Sequence, residues 1–147
     1  MVADFLTNFH FIVPVTTIIL GQIVKQVIFM YHGEKITWRT LLTDGGLPSS
    51  HSGIMSALTT TIFFVEGLST IFYLAFFVTL IVAKDAFGVR RESGKHARIL
   101  KQVLSKLDLT DPEHIKVLVG HTKTQVIAGL IWGIFVTVVM NALIPGL

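Results

Sequence analysis

The sequence predicts an all-α fold, a polytopic membrane helix bundle of about four transmembrane helices with a cytoplasmic amphipathic helix. Three observations predict it. Charged residues make up 14% of the 147-residue chain and hydrophobic ones 52%, with a mean hydropathy of +0.71. A soluble domain carries roughly 25% charge. Several apolar runs reach or approach the roughly 20 residues that cross a bilayer. Only helices and closed barrels pair every backbone group inside lipid, and these runs lack the period-two alternation of a barrel strand. The length suits one integral membrane domain over residues 1–147.

The first apolar run spans Phe9 to Tyr31. No Lys or Arg precedes it, unlike the basic start of a cleaved secretory signal. The polar stretch His32 to Ser52 contains Asp44-Gly45-Gly46 and Pro48, which are turn and loop residues. A second run, Ser52 to Val65, is short for a span, and Glu66, Gly67 and Ser69 predict a tight turn after it. The third run covers Thr70 to Phe87 and the fourth Thr122 to Ile144. A charged stretch, Gly88 to His121, separates them. Within it Ile99, Leu100, Val103, Leu104 and Leu107 recur at helical spacing between Glu92 and Leu107, with Lys95, Arg98, Lys101 and Lys106 elsewhere on the helix. Two placements fit such a helix: on the membrane surface, or over the protein's own core. Thr110-Asp111-Pro112-Glu113 reads as a further helix start.

Four spans put both termini on one side and gather the charges on the other. All 12 Lys and Arg residues fall in the two long polar stretches or in the adjoining halves of the spans. The opposite side carries Asp4 and Glu66. The positive-inside rule makes the basic side cytoplasmic, with both termini outside the cell membrane. The chain has no cysteine, which excludes disulfides and thiolate metal sites.

Three polar features converge on the basic side. Gly45-Gly46-Leu47-Pro48-Ser49-Ser50-His51 runs directly into a membrane helix. Backbone N–H groups at a helix start, with two serine hydroxyls, suit an anion, and His51 could exchange a proton beside it. Simple capping by Ser49 or Ser50 accounts for the same residues. Gly120-His121-Thr122-Lys123-Thr124-Gln125 opens the last helix. His121 could act as a nucleophile on phosphorus, with Gln125 one turn further on. Thr122 and Gln125 also fit a capping box. Lys84 to Arg91 closes the third span, where Arg90 and Arg91 could hold phosphate oxygens and Asp85 needs a partner. Lys25 lies about two turns inside the first run, with Gln22 and Gln26 on its face, either facing the bundle or snorkelling to the interface. Gly129 and Gly133 form a G-x-x-x-G packing motif.

Together these segments resemble the PAP2 acid phosphatase and vanadium haloperoxidase superfamily. Pro48-Ser49-Ser50-His51 is similar to its P-S-G-H motif. The closer likeness is to the divergent branch of small membrane proteins with G-G-M-P-S-S-H-S, D-A-x-G-V-R-R-x-x-G and G-H-T-x-x-E-V-x-A-G. Here these read Gly45 to Ser52, Asp85 to Gly94 and Gly120 to Gly129. The resemblance implies a metal-independent phosphatase, without cofactor, working through a phosphohistidine. Carried over, His121 attacks phosphorus and His51 protonates the leaving oxygen. Ser49 and the Ser50 backbone hold phosphate oxygens, while Lys25, Arg90 and Arg91 neutralise their charge.

This chain departs from the superfamily pattern at three positions. Ser50 replaces a glycine, a change the divergent branch shares. Ile115 stands where an arginine is usual. Gln125 stands where an Asp or Glu orients the nucleophilic histidine, which suggests reduced activity or Asp85 in that role. The expected substrate is a membrane lipid phosphate, like phosphatidylglycerophosphate, phosphatidate or a polyprenyl phosphate. Anionic phospholipids are expected partners, nucleic acid is not, and a homo-oligomer is compatible with the sequence. The competing expectations are a headgroup-binding protein with little or no activity, and an accessory subunit.

Overall fold

The computed structural model describes residues 8–33, 35, 37, 46–107 and 120–144. They form five helices: α1 Phe9–Tyr31, α2 Ser50–Glu66, α3 Thr70–Phe87, α4 Val89–Lys106 and α5 Lys123–Leu143. The expected helix start at Thr110 to Glu113, and Asp4, Gly45 and Ile115, lie outside the described residues.

The local sequence accounts for the helix ends. Asn8 caps α1 through its side-chain oxygen on the His10 N–H, and Ser69 caps α3 on the Phe72 N–H. Gly67, at φ +67°, makes the turn between α2 and α3. Gly88 interrupts the backbone for one residue before α4 begins, so that helix starts three residues earlier than its apolar spacing suggests. Glu92 re-enters the ladder by donating its N–H to the Gly88 carbonyl at 3.1 Å. On the exposed side of α4 the Glu92 carboxyl accepts from Lys95 Nζ at 2.6 Å, which holds it below its ordinary range.

Helix α2 packs against α1, α3 and α5 and forms the centre of the bundle. The directions alternate. Lys25, near the end of α1, meets Ser50 at the start of α2. At the opposite end His10 Nε2 lies 3.7 Å from Glu66 Oε1. His121, just before α5, meets Ala86 at the end of α3, while Met140 packs against Phe9, Val13 and Ala57.

Among the described residues three helices are long and apolar enough to cross a membrane: α1, α3 with its continuation to Lys106, and α5. The 17-residue α2, read from the sequence as a fourth span, is not among them. At 1.5 Å per residue it reaches about 25 Å, short of a hydrocarbon core of about 30 Å. Its polar positions explain its lower apolarity. Ser52, Ser56, Thr59 and Thr61 are buried against neighbouring helices. Thr59 and Thr79 share a 2.8 Å hydroxyl bond, Thr79 also donates to the Met55 carbonyl, and Thr137 donates to the Ala57 carbonyl. Such bonds between helices contribute on average about 0.6 kcal/mol each in lipid.

The glycine pair in α5 packs as its spacing suggests. A Cβ on Gly133 would collide with the Ser56 hydroxyl and the Gly53 carbonyl. On Gly129 it would lie 2.5 Å from the Ser49 carbonyl oxygen. The two backbones therefore touch directly, which only small residues allow. In contrast, α4 does not cover the core. Among the described elements it packs only against α3, and Gly94 is its one buried residue.

Candidate functional site

The start of α2 is built from small residues pressed between α1 and α5. Gly46, at φ +94°, lies against Phe29 and the stem of Lys25. Ser49 occupies the N-cap position with extended backbone but makes no side-chain cap bond. Its N–H instead donates to the Gln125 carbonyl at 3.1 Å, and its hydroxyl accepts from Ser52 Oγ at 3.2 Å. Serine capping therefore does not account for this segment, and the first-turn N–H groups of α2 have no side-chain cap. That is the anion-favouring end of a helix.

Lys25 settles between the two placements its position allowed. It is 1% exposed, so it does not snorkel, and its Nζ donates to Ser50 Oγ at 2.8 Å. A buried ammonium is costly unless polar groups surround it. Here it sits directly beside the entrance to α2, with Gln26 also buried on the same helix.

The start of α5 differs from a simple helix beginning at His121. Thr122 is the N-cap, at φ −75° and ψ 159°, so His121 precedes the helix and shares no helical face with Gln125. Gln125 completes a capping box: its Oε1 accepts from the Thr122 N–H at 2.9 Å, and its N–H donates to Thr122 Oγ1 at 3.2 Å. His121 is held from another direction, its N–H donating to the Ala86 carbonyl at 3.1 Å. Its side chain is buried, with the residue 4% exposed. Gly120 lies flat against the backbone of Arg90 and Arg91, where any Cβ would collide.

These contacts bring the two histidines together. The His51 and His121 rings stand 6.3 Å apart between centroids, inclined at 59°. His51 Nδ1 is buried and has no hydrogen-bond partner among the described residues. Lys25, Ser49, Ser50, His51 and His121 thus share one end of the bundle. Asp85 and Arg90 form their own pair there, Arg90 Nε to Asp85 Oδ2 at 2.9 Å, with both side chains well exposed. Arg91 is exposed too. The arginine backbones touch the Gly120–His121 segment, whereas the Arg90 guanidinium is turned to Asp85.

A profile of the family described as the divergent PAP2 family matches residues 6–136. The chain belongs to the divergent PAP2 family. It is 29% identical over 152 residues to a Bacillus subtilis (strain 168) protein named as the uncharacterized membrane protein YuiD, covering 93% of this chain and 96% of that one. No solved structure gives a significant match. In this divergent PAP2 membrane protein, the last residue of the first motif has a role that the motif reading did not assign. Ser52 is fully buried and fixes the Ser49 hydroxyl. Its signal is spacing, since Ser49, Ser52 and Ser56 fall on one helix face opposite Gly129 and Gly133.

Proposed function

We propose that this protein is a membrane-embedded phosphatase for lipid phosphate monoesters, acting through a phosphohistidine on His121. The observation that carries the proposal is the 6.3 Å approach of His51 and His121 beside buried Lys25 and the uncapped start of α2. A nucleophilic nitrogen about 3 Å from phosphorus and a proton donor about 3 Å from the leaving oxygen place two such rings several ångströms apart around one phosphoryl group. The separation found here suits that arrangement.

In the first step a His121 ring nitrogen forms a bond to phosphorus as the phosphorus–oxygen ester bond breaks. His51 gives its proton to the departing alcohol oxygen. In the second step water attacks phosphorus, His51 takes a proton from it, the nitrogen–phosphorus bond breaks, and inorganic phosphate leaves. Lys25, the Ser49 and Ser50 hydroxyls and the first N–H groups of α2 stabilise the equatorial oxygens. The basic end of the bundle faces the cytoplasm by the positive-inside rule, so the substrate phosphate belongs to the inner leaflet. A diacyl or polyprenyl chain would lie in lipid beside the exposed faces of α1 and α5.

The capping role of Gln125 favours a second reading. Its amide oxygen serves the Thr122 N–H, and an amide cannot balance a cationic imidazole as a carboxylate does. The same pocket would then hold a lipid phosphate without cleaving it. Purified protein in detergent, given short-chain phosphatidate and phosphatidylglycerophosphate, separates the two. Vanadate-sensitive phosphate release that disappears in His121→Ala supports the phosphatase. Saturable binding with no release from the native protein overturns it in favour of the binder.

A further inference from the structure

Helix α4 separates its apolar and basic residues around its circumference, most fully in its second half. At 100° per residue, Val89, Ile99, Leu100, Val103, Leu104 and Leu107 fall within one arc of about 160°. All six cations, Arg90, Arg91, Lys95, Arg98, Lys101 and Lys106, fall in the remainder, while Glu92, Ser93 and His96 interrupt the apolar arc in the first turns, so that it is continuous from Ile99 to Leu107. The apolar arc is open, with Ile99, Leu100, Val103 and Leu107 all exposed. No other described helix but α3 touches α4. It starts one residue beyond α3, a membrane-spanning segment, which ties its first turn to the bilayer boundary.

We propose that α4 lies in the headgroup layer of an anionic leaflet, its apolar arc in the acyl boundary and its cations among the lipid phosphates. Charge complementarity and continuity with α3 select this occupant. A neutral surface would leave Arg91, Arg98, Lys101 and Lys106 without counter-charge among the described residues, since Asp85 and Glu92 pair with Arg90 and Lys95, and an acidic soluble partner would leave the apolar arc in water. The consequence for the site is local. The first turn of α4 carries the Arg90–Arg91 backbone against which Gly120 is packed, so anchoring the helix anchors the segment that holds His121. This inference does not depend on whether the protein hydrolyses its ligand.

The chain has no cysteine, so single cysteines report without background. An environment-sensitive fluorophore is placed at Val103, on the apolar arc, or at Gln102, on the polar side. Full-length protein is reconstituted in bilayers of phosphatidylcholine with or without phosphatidylglycerol, with brominated acyl chains as quencher. The Val103 label should be blue-shifted and quenched in anionic bilayers and the Gln102 label should not. Each cation replaced by glutamine among Arg98, Lys101 and Lys106 should weaken surface partitioning by roughly fivefold. A Val103 label in water in anionic bilayers overturns the proposal. So does one shielded from both water and brominated lipid, because protein would then cover the arc. Equal quenching at both positions, or quenching indifferent to anionic lipid, overturns it as well.

Discussion

Replacing Gly129 by alanine should damage both stability and the site, although the residue carries no chemistry. The added methyl would stand 2.5 Å from the Ser49 carbonyl oxygen, 3.0 Å from Ser52 Cβ and 3.1 Å from Ser49 Cβ. A carbon–oxygen contact is tolerable near 3.3 Å, so α2 must retreat by roughly 0.8 Å. That retreat acts on the start of α2, where the Ser49 N–H reaches the Gln125 carbonyl at 3.1 Å. Overpacking typically costs about 1–3 kcal/mol, and the lost hydrogen bond about 1 kcal/mol. Because Ser49 to His51 move with the helix, catalysis should fall by up to about 100-fold, the effect of misplacing reacting groups by about 1 Å. Gly53→Ala is the control from the facing helix. Its methyl would meet the Gly129 carbonyl oxygen at 3.5 Å, Thr17 Cγ2 at 3.6 Å and Trp132 Cδ1 at 3.7 Å, all ordinary contacts. It should be neutral or stabilising by up to about 1 kcal/mol. Thermal unfolding in detergent, followed by circular dichroism, and phosphate release from a short-chain lipid phosphate measure both effects. Equal stability of Gly129→Ala and native protein, with loss in Gly53→Ala, would refute the packing argument.

Three other substitutions probe the remaining parts. Lys25→Met keeps the buried stem and removes the ammonium; phosphate release should drop about 10²–10³-fold, with thermal stability changed little or raised. Gln125→Glu keeps a residue suited to the capping box and adds a carboxylate in the first turn of α5; turnover should rise, and helix content measured by circular dichroism should hold. Asp85→Asn breaks an exposed ion pair with Arg90, so detergent melting should shift by no more than the equivalent of about 1 kcal/mol. A much larger loss in that variant would mean that Asp85 supports the His121 segment by more than this pair.

The helices were legible where composition alone decides them. Phe9 to Tyr31 and Thr70 to Phe87 are long, mainly apolar runs with capping or turn residues at their ends, and both boundaries match the structure. Helix α2 was underestimated by two residues at its start because Ser50 and His51 look like loop residues, whereas their partners, Lys25 and His121, lie far away in sequence. The motifs set both histidines on the basic side, where the structure brings their rings to 6.3 Å, but His121, read at the entrance to the last helix, lies outside it. Thr122, the better N-cap, excludes it, and a backbone bond to Ala86 holds it instead. The contact of Gly120 with Arg90 and Arg91 was illegible for a similar reason. Nothing local in either segment encodes a meeting across roughly thirty residues of chain.

The central claim is that two imidazoles from separate helix starts act on one phosphoryl group. It is tested most directly by rapid quenching of the purified protein with a radiolabelled lipid phosphate, followed by mapping of the labelled peptide. The account predicts an acid-labile phosphoramidate on His121 that persists longer in His51→Ala. Phosphate release with no covalent intermediate, or a label on any other residue, would contradict it.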